Sequence, residues 1–216
     1  MSEQIRRVLV WSGWLRLVHG ALALSTLVLL ATGWLIADSP TLAADASFAH
    51  YLAASVLLAA LLLRFFLGFA GKGAERFEHL LPRRSELAAI RASLLFYLSL
   101  GRAPLPNWFA HNPLWKPLYL VLYLLLAMSA LSGWIMPEIQ LVGRLYVPGV
   151  HAWLADPIAA LVIAHLLCVV LQDIKGRSAD ISAMLSGYRF FVFERGGADR
   201  NGVQQVSVSL DDLGGR

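Results

Sequence analysis

The stretch His151-Ala-Trp-Leu-Ala-Asp-Pro-Ile-Ala-Ala-Leu-Val-Ile-Ala-His165 contains two histidines, fourteen positions apart, in a largely apolar run. Fourteen helical steps of about 100° fall about 40° short of four full circles, so both imidazoles leave nearly the same face of a helix. At a rise of about 1.5 Å per residue they lie roughly 21 Å apart along its axis. Since the apolar core of a membrane is about 30 Å thick, the stretch predicts a spanning helix with one histidine near each surface.

The composition and the spacing of charged residues indicate a membrane protein. Of the 216 residues, 58% are hydrophobic and 15% are charged, whereas a soluble domain is about half apolar and about a quarter charged. Four runs are long enough to cross a bilayer, if the last of them tolerates Asp156. They are residues 17–37, 46–63, 117–137 and 150–172. The chain is therefore predicted to be an all-α membrane protein, a bundle of four transmembrane helices.

Lysine and arginine are concentrated on one side of this predicted bundle. Before helix 1, between helices 2 and 3 and after helix 4 they are Arg6, Arg7, Arg16, Lys72, Arg76, Arg83, Arg84, Arg91, Arg102, Lys116, Lys175 and Arg177. The two opposite loops contain only Arg144. Because basic residues that flank membrane helices stay in the cytoplasm, we predict that both termini are cytoplasmic. The same rule explains the formal charge of +4 without a nucleic-acid partner.

The remaining segments are predicted to lie at the cytoplasmic surface. Residues 1–13 suit an interfacial lead-in, and apolar residues at helical spacing within 82–100 predict an amphipathic surface helix. A second short helix is predicted at 178–187. The domain organisation that follows is a transmembrane domain over 1–191 and a polar cytoplasmic tail over 192–216.

Four histidines in the predicted helices fall at two matched depths. His19 and His165 lie near the cytoplasmic side and are called the inner pair, and His50 and His151 lie near the outside and are called the outer pair. Each pair supplies two axial nitrogens to one porphyrin iron. A six-coordinate iron has no open position for a substrate, which favours electron transfer. The alternative is that the four are packing histidines bonded to neighbouring carbonyls.

The other two histidines, His79 and His111, lie in the connection between helices 2 and 3. We expect His79 to be solvated and His111 to be part of the loop structure, unless it lies beside a quinone or a haem propionate. The single cysteine, Cys168, excludes an internal disulfide and a cysteine-ligated iron–sulfur cluster. It is predicted to be a small buried residue of helix 4.

Three further residues are predicted to help bind the cofactors. Arg64 is fourteen positions after His50, so its guanidinium either binds the propionates of the inner haem or extends to the membrane surface. Gly33 is fourteen positions after His19 and either allows a porphyrin to approach the backbone or allows two helices to pack closely. Arg16, one turn before His19, is included in the predicted cofactor-binding set.

Two helices end in similar words, Ala31-Thr-Gly-Trp-Leu-Ile36 and Leu131-Ser-Gly-Trp-Ile-Met136. They are consistent with an old internal repeat. Small residues beside an interfacial tryptophan are, however, common in membrane helices of any kind.

Several short motifs of the sequence resemble those of a known family. They are Trp14-Leu-Arg-Leu-Val-His19-Gly, Arg64-Phe-Phe-Leu-Gly-Phe-Ala-Gly, Ala74-Glu-Arg-Phe77, His111-Asn-Pro-Leu and Ala183-Met-Leu-Ser-Gly-Tyr-Arg189. The chain resembles the four-helix dihaem cytochromes b of bacteria, the cytochrome b561 and nickel–iron hydrogenase cytochrome b group. The resemblance implies two non-covalent haem b groups with axial ligands on helices 1, 2 and 4.

The resemblance also implies a function and a location. It implies a multi-pass protein of the bacterial inner membrane that passes electrons between the quinone pool and an extracytoplasmic redox partner, such as a hydrogenase, a dehydrogenase or a c-type cytochrome. It would be the electron-transfer subunit of an oxidoreductase complex, and a homodimer is an open alternative for its assembly.

Two rival functions remain open. One is a self-contained superoxide:quinone oxidoreductase, which requires a positive surface over the outer haem to attract an anion. The outer loops contain Arg144 against Asp38, Asp45 and Glu138, which favours a docking protein. The other rival is a haem-free membrane anchor with the same fold.

One local feature departs from a simple helix 4. Asp156-Pro157 lies between His151 and His165. Proline removes a backbone hydrogen bond, and Asp156 is a residue that can cap a helix beginning at Pro157. In that arrangement His151 would lie on a preceding turn.

Overall fold

A computed structural model of the chain describes residues 3–175 and 180–194. Its helices are α1 (Gly13–Asp38), α2 (Ala43–Ala70), α3 (Leu87–Leu98), α4 (Trp115–Ile135), α5 (Val147–Lys175) and α6 (Asp180–Ser186). Its strands are β1 (Glu3–Leu9), β2 (Leu141–Val142), β3 (Leu145–Tyr146) and β4 (Tyr188–Glu194). Three short 3-10 turns lie at Gly73–Glu75, Phe77–Leu80 and Arg84–Glu86.

Four of these helices, α1, α2, α4 and α5, are long and apolar enough to cross a membrane. They have 26, 28, 21 and 29 residues, and a spanning helix needs about 20. Most of each apolar stretch faces outward from the protein, so its burial requires lipid. The predicted class, an all-α membrane protein with four spanning helices, is confirmed, and two small two-stranded sheets are added to it.

The bundle is built from two helical hairpins. α1 packs chiefly against α2, and α4 packs chiefly against α5. The hairpins meet around one apolar core to which all four helices contribute. Its buried members are Val18, Leu22, Leu57, Ala60, Leu61, Leu67, Leu126, Leu154 and Ile158. We call the end with β2 and β3 the loop end, and the end with β1 and β4 the terminal end.

The helix α5 corrects one alternative. It runs without a break from Val147 to Lys175 with Pro157 inside it, so Asp156 does not cap a new helix. A proline removes one backbone bond. A full break in lipid would leave several backbone groups without partners, which is far more costly. His151 and His165 therefore lie on one continuous helix, as their spacing predicts.

Residues Glu3–Leu9 form a strand rather than part of an interfacial lead-in, which corrects the prediction for 1–13. β1 pairs antiparallel with β4, from Glu3 opposite Glu194 to Leu9 opposite Tyr188. Both segments contain β-branched or aromatic residues, such as Ile5 and Val8 in β1 and Val192 in β4, which suit strands. β4 continues past the predicted domain boundary at residue 191, and the rest of the predicted tail lies outside the described residues.

The segment before β4 contains the predicted surface helix, observed as α6. It ends at Ser186 and is followed by Gly187, whose φ of +89° lies in the left-handed region that glycine adopts without strain. The carbonyl of Gly187 accepts hydrogen bonds from the backbone of Val10 and Trp11 at 2.9 and 3.0 Å. This turn joins the two ends of the chain above the bundle.

The long connection between α2 and α4 is fastened to the bundle by polar contacts. α3 lies within the predicted amphipathic segment 82–100. Lys116 forms an ion pair with Glu86. Burial alone would raise the pKa of Glu86, but the hydrogen bond from Lys116 and its positive charge lower that pKa below its ordinary value.

Arg189 of β4 holds the last part of the connection. It is 6% exposed, and its Nη1 donates to the carbonyls of Trp108, Phe109 and Ala110 at 3.1, 2.8 and 3.4 Å. We predict that Arg189→Leu lowers stability by about 1–3 kcal/mol, because buried carbonyls lose a charged donor. Thermal unfolding of the detergent-solubilised protein measures the change.

A matched control is Arg7→Leu. The guanidinium of Arg7 lies over the exposed side of the same sheet, 3.8 Å from the ring of Tyr188, where such a contact is worth about 0.5–1 kcal/mol. Equal losses in the two variants would contradict the assignment of Arg189 as the anchor of the connection.

Candidate functional site

The outer pair lies at the loop end, with His50 on α2 and His151 on α5. The centroids of the two rings are 6.2 Å apart, and their planes are inclined by 75°. The helices belong to different hairpins, so this pair joins the two halves of the bundle.

The inner pair lies nearer the terminal end, with His19 on α1 and His165 on α5. The ring centroids are 6.5 Å apart, and the planes are inclined by 64°. Because α5 supplies a histidine to both pairs and is continuous, the two levels are separated by roughly 21 Å along its axis.

The spacing within each pair suits one metal ion between two imidazoles. An imidazole nitrogen binds a metal at about 2.0 Å and lies about 1.1 Å from its ring centre, so two rings on opposite sides of one metal have centroids about 6.2 Å apart. The observed separations are 6.2 and 6.5 Å. These residues would hold a metal ion from two sides, and a porphyrin would supply its remaining ligands.

Hydroxyl groups lie within hydrogen-bond distance of Nδ1 in both outer histidines. Nδ1 of His50 lies 2.8 Å from Oγ1 of Thr32 on α1. Nδ1 of His151 lies 3.1 Å from Oγ of Ser132 and 3.0 Å from the carbonyl of Ser129, both on α4. Because these contacts are made by Nδ1, Nε2 of each ring would be the nitrogen that binds a metal.

Glycines lie beside the same two rings. A Cβ atom on Gly33 would lie 3.7 Å from Cε1 of His50, and one on Gly133 would lie 2.9 Å from Cε1 of His151. Gly33 is thus at the outer level, as predicted, where its missing side chain makes room for an imidazole. The contact of Gly33 is with an imidazole, whereas the two predicted alternatives were contact with a porphyrin and contact with another helix backbone.

The inner histidines have a different environment. The ring of His165 lies 5.1 Å from that of Trp115 and 5.7 Å from that of Tyr119, both on α4. Its Nδ1 is buried and has no hydrogen-bond partner within residues 3–175 and 180–194. Buried polar atoms normally have partners, so the ring suits a site that is completed by a bound group.

The two hairpins repeat one arrangement of residues. Gly33 and Gly133 are followed by His50 and His151 on the next helix, and each glycine is preceded by a hydroxyl residue. At the inner level the correspondence is incomplete, because Tyr119 stands fourteen positions before Gly133 where His19 stands fourteen before Gly33. The Thr-Gly-Trp and Ser-Gly-Trp motifs were weak evidence for a repeat in the sequence alone. In the structure they occupy equivalent positions beside the two outer histidines.

Arg64 lies inside the protein rather than at the membrane surface. It is 1% exposed, which contradicts the snorkelling alternative. Its Nε donates to the hydroxyl of Tyr123 at 3.1 Å, and its Nη1 donates to the carbonyl of Glu75 at 2.8 Å. The guanidinium also lies 4.7 Å from the ring centroid of Phe77. Arg64 therefore ties α2 to α4 and to the connection, and these carbonyl and ring contacts were not predicted.

Arg16 lies at the terminal end, one turn before His19. Its Nη1 donates to the carbonyl of Ser186 at 3.2 Å. Its Nε is buried without a hydrogen-bond partner among the residues that the structure describes. The structure thus places Arg16 between α1 and the end of α6, and its predicted role toward a cofactor remains a prediction.

The two remaining histidines differ in exposure. The side chain of His79 is 37% exposed and lies 3.7 Å from Glu78, in agreement with a solvated residue. His111 is half-buried and lies between Trp11 and Tyr119, with ring centroids at 5.0 and 6.1 Å. Burial, followed by the positive charges of Arg64 and Lys116, lowers the pKa of His111 to about 3.

This pKa makes stability depend on pH. Because the folded pKa of His111 is about 3 and the unfolded one about 6.5, only the unfolded chain binds this proton between those values. Stability should therefore fall as the pH falls below about 6.5, by up to about 1.4 kcal/mol per pH unit from this residue. Thermal unfolding between pH 7 and pH 5 measures the slope.

The comparison that isolates His111 uses two variants. His111→Phe removes the titrating group and should flatten the slope, whereas His79→Gln at the surface should leave it as in the parent protein. An equal slope in His111→Phe and the parent would contradict the assignment.

Comparisons with known proteins agree with this geometry. The family model of prokaryotic cytochrome b561 matches residues 10–187. The chain is 27% identical to a probable Ni/Fe-hydrogenase B-type cytochrome subunit of Cupriavidus necator, over 88% of this chain and 90% of that protein. Proteins with the same description in Azotobacter vinelandii and Bradyrhizobium diazoefficiens are 29% and 28% identical, over 90% and 85% of this chain and 94% and 86% of theirs. No solved structure matches.

The match extends over most of the chain, from the residue before Trp11 to the turn at Gly187. It includes all four spanning helices and all four paired histidines. The chain belongs to the prokaryotic cytochrome b561 family, and it is a multi-pass bacterial membrane protein and a b-type cytochrome that transfers electrons with haem b.

Proposed function

We propose that this cytochrome binds two haem b groups, one between His19 and His165 and one between His50 and His151, and passes electrons between the quinone pool and an extracytoplasmic redox partner. The observation that carries the proposal is the presence of two imidazole pairs at metal-bridging separations of 6.5 and 6.2 Å. Bound haem would supply a one-electron iron centre, and an iron held by two histidines would have no open position for a substrate.

The core between the two levels is apolar and closely packed, which suits electron transfer between two bound haems. Leu57 and Ile158 are each seven positions after an outer histidine, halfway to the inner level. They are 3% and 4% exposed, and Leu154 beside them is 1% exposed. Close packing of these apolar side chains leaves little room for water between the outer and inner levels.

The loop end supports a protein partner. Asp38, Asp45 and Glu138 are exposed there and outnumber Arg144, so the surface does not attract small anions. Leu141, Val142, Leu145 and Tyr146 of the β2–β3 hairpin are also exposed. The similar proteins are described as hydrogenase cytochrome subunits, and we propose a hydrogenase-like or dehydrogenase-like partner at this surface, which the positive-inside rule puts outside the cytoplasm.

The terminal end supports contact with a quinone. A pocket of about 260 Å³ lies between α2, α4 and the turn Phe77–Leu80. Phe69, Phe77 and Leu120 give it an apolar lining, and Arg76 and Glu78 lie at its polar edge. An apolar slot with few polar groups is what binding sites for flat organic ligands share.

The pairing is tested by single substitutions of the histidines. His19→Ala and His165→Ala should each remove the same haem, and His50→Ala and His151→Ala should each remove the other, because each iron loses one of its two axial ligands. Redox titration followed by optical spectra identifies which component is lost. His79→Ala should keep both.

Two results would overturn parts of the proposal. The same spectral loss from His19→Ala and His50→Ala would show that the pairs are wrong. Rapid quinone reduction by superoxide, with the purified protein alone, would favour the self-contained enzyme over a subunit that needs a protein donor.

Arg64 provides a second test. Its buried positive charge lies at the inner level and should favour the reduced state of the inner haem, so Arg64→Leu should lower the potential of that haem alone. Arg64→Lys should recover part of the loss, because it restores the charge without the two-pronged contact.

The control is Tyr123→Phe, which removes the hydrogen bond to Nε and keeps the charge. Its inner potential should stay close to that of the parent protein. An unchanged potential in Arg64→Leu would leave Arg64 with only its role of fastening the connection to α2.

A further inference from the structure

We propose that Thr32-Gly33 and Ser132-Gly133 form two equivalent seats that fix the tautomer and orientation of the outer imidazoles and thereby set the potential of the outer haem. Each seat consists of a hydroxyl behind Nδ1 and a glycine beside the ring. The inference rests on the proposed ligation of the outer haem by His50 and His151.

The first seat fixes His50. The hydroxyl of Thr32 has one proton, which it donates to the carbonyl of Val28 at 2.7 Å. With that proton on the carbonyl of Val28, the hydroxyl oxygen accepts from Nδ1–H of His50 across the contact of 2.8 Å, which is the arrangement that a metal on Nε2 would require. A neutral imidazole with hydrogen on Nδ1 has its lone pair on Nε2, which is the form that binds a metal.

The second seat fixes His151 by the same logic with one more acceptor. The carbonyl of Ser129 lies 3.0 Å from Nδ1 and can only accept, so Nδ1 bears the hydrogen here too. Ser132 donates its own proton to that same carbonyl at 3.0 Å and lies 3.1 Å from Nδ1. His151 thus keeps a backbone acceptor if Ser132 loses its hydroxyl, whereas no backbone acceptor for Nδ1 of His50 is found in the described residues.

The two glycines differ in how closely they approach the imidazoles. A Cβ atom on Gly33 would make an ordinary contact of 3.7 Å with His50, but one on Gly133 would lie 2.9 Å from Cε1 and 3.3 Å from Nδ1 of His151. Contact that close forces the ring to move. The first seat therefore depends on its hydroxyl, and the second depends on its glycine.

His165 of the inner pair has no comparable seat among the described residues. Nδ1 of His165 is buried without a hydrogen-bond partner in the part of the chain that the structure describes, and the rings of Trp115 and Tyr119 surround it. A hydrogen bond from Nδ1–H makes the opposite nitrogen more basic and favours the oxidised metal. The seats therefore act on the outer haem alone.

The hydroxyl is tested with Thr32→Val, which keeps the shape and removes the acceptor. The potential of the outer haem should rise, its ferric low-spin spectrum should change, and the inner haem should keep its potential. Ser132→Ala should give a smaller shift, because the carbonyl of Ser129 remains. Thr32→Ser restores the acceptor and should return both quantities to those of the parent protein.

The glycine is tested with Gly133→Ala and its matched control Gly33→Ala. Gly133→Ala should lower the content of the outer haem, as measured by pyridine haemochrome, and Gly33→Ala should retain it. Equal haem retention in both variants would overturn the glycine part of the inference.

The outcomes separate this inference from the proposed function. If the parent protein contains two haems and His50→Ala removes one of them, the proposed ligation of the outer haem is supported. An unchanged outer potential and ferric spectrum in Thr32→Val would then overturn the seats alone. Fewer than two haems in the parent protein would overturn the ligation and the seats together.

Discussion

The structure depends on one constraint: four polar imidazoles lie on apolar helices that are surrounded by lipid. In such surroundings each polar group needs a partner within the protein, and a histidine without one is costly. The four histidines meet this constraint by facing each other in two pairs, with centroid separations of 6.2 and 6.5 Å. The positions of α1, α2, α4 and α5 follow from it, because each pair joins helices of different hairpins.

The helix α5 has the central place in this arrangement, because it supplies one histidine to each pair. Its continuity through Pro157 keeps His151 and His165 on one face. The similarity of the two hairpins accounts for the residues around the outer pair. Both hairpins provide a hydroxyl and a glycine behind an outer histidine, but at the inner level Tyr119 and Arg64 occupy the places that correspond to His19 and His165. Of the three equivalent positions in each hairpin, histidine therefore occupies two positions in each, and the four histidines form two pairs.

The sequence was sufficient for the spans and for the matched depths of the histidines, since both follow from helical periodicity and the thickness of a bilayer. It was not sufficient for contacts that depend on distant segments. The pairing of Glu3 with Glu194 joins opposite ends of the chain, and no local pattern indicates the partner of a strand. The contact of Arg64 with the carbonyl of Glu75 depends on the path of a loop. Thr32 and Ser132 stood in a recognised word, but only the packing of hairpins shows that their hydroxyls meet imidazoles.

The central claim is that the four histidines make two complete axial sets, and the haem content of the purified protein tests it most directly. Pyridine haemochrome spectra give the amount of haem b, and quantitative amino-acid analysis of the same sample gives the amount of chain. Two haems per chain, both extractable with acidified acetone because no Cys-x-x-Cys-His attachment sequence is present, is the predicted result. One haem per chain in protein with all four histidines intact would contradict the account.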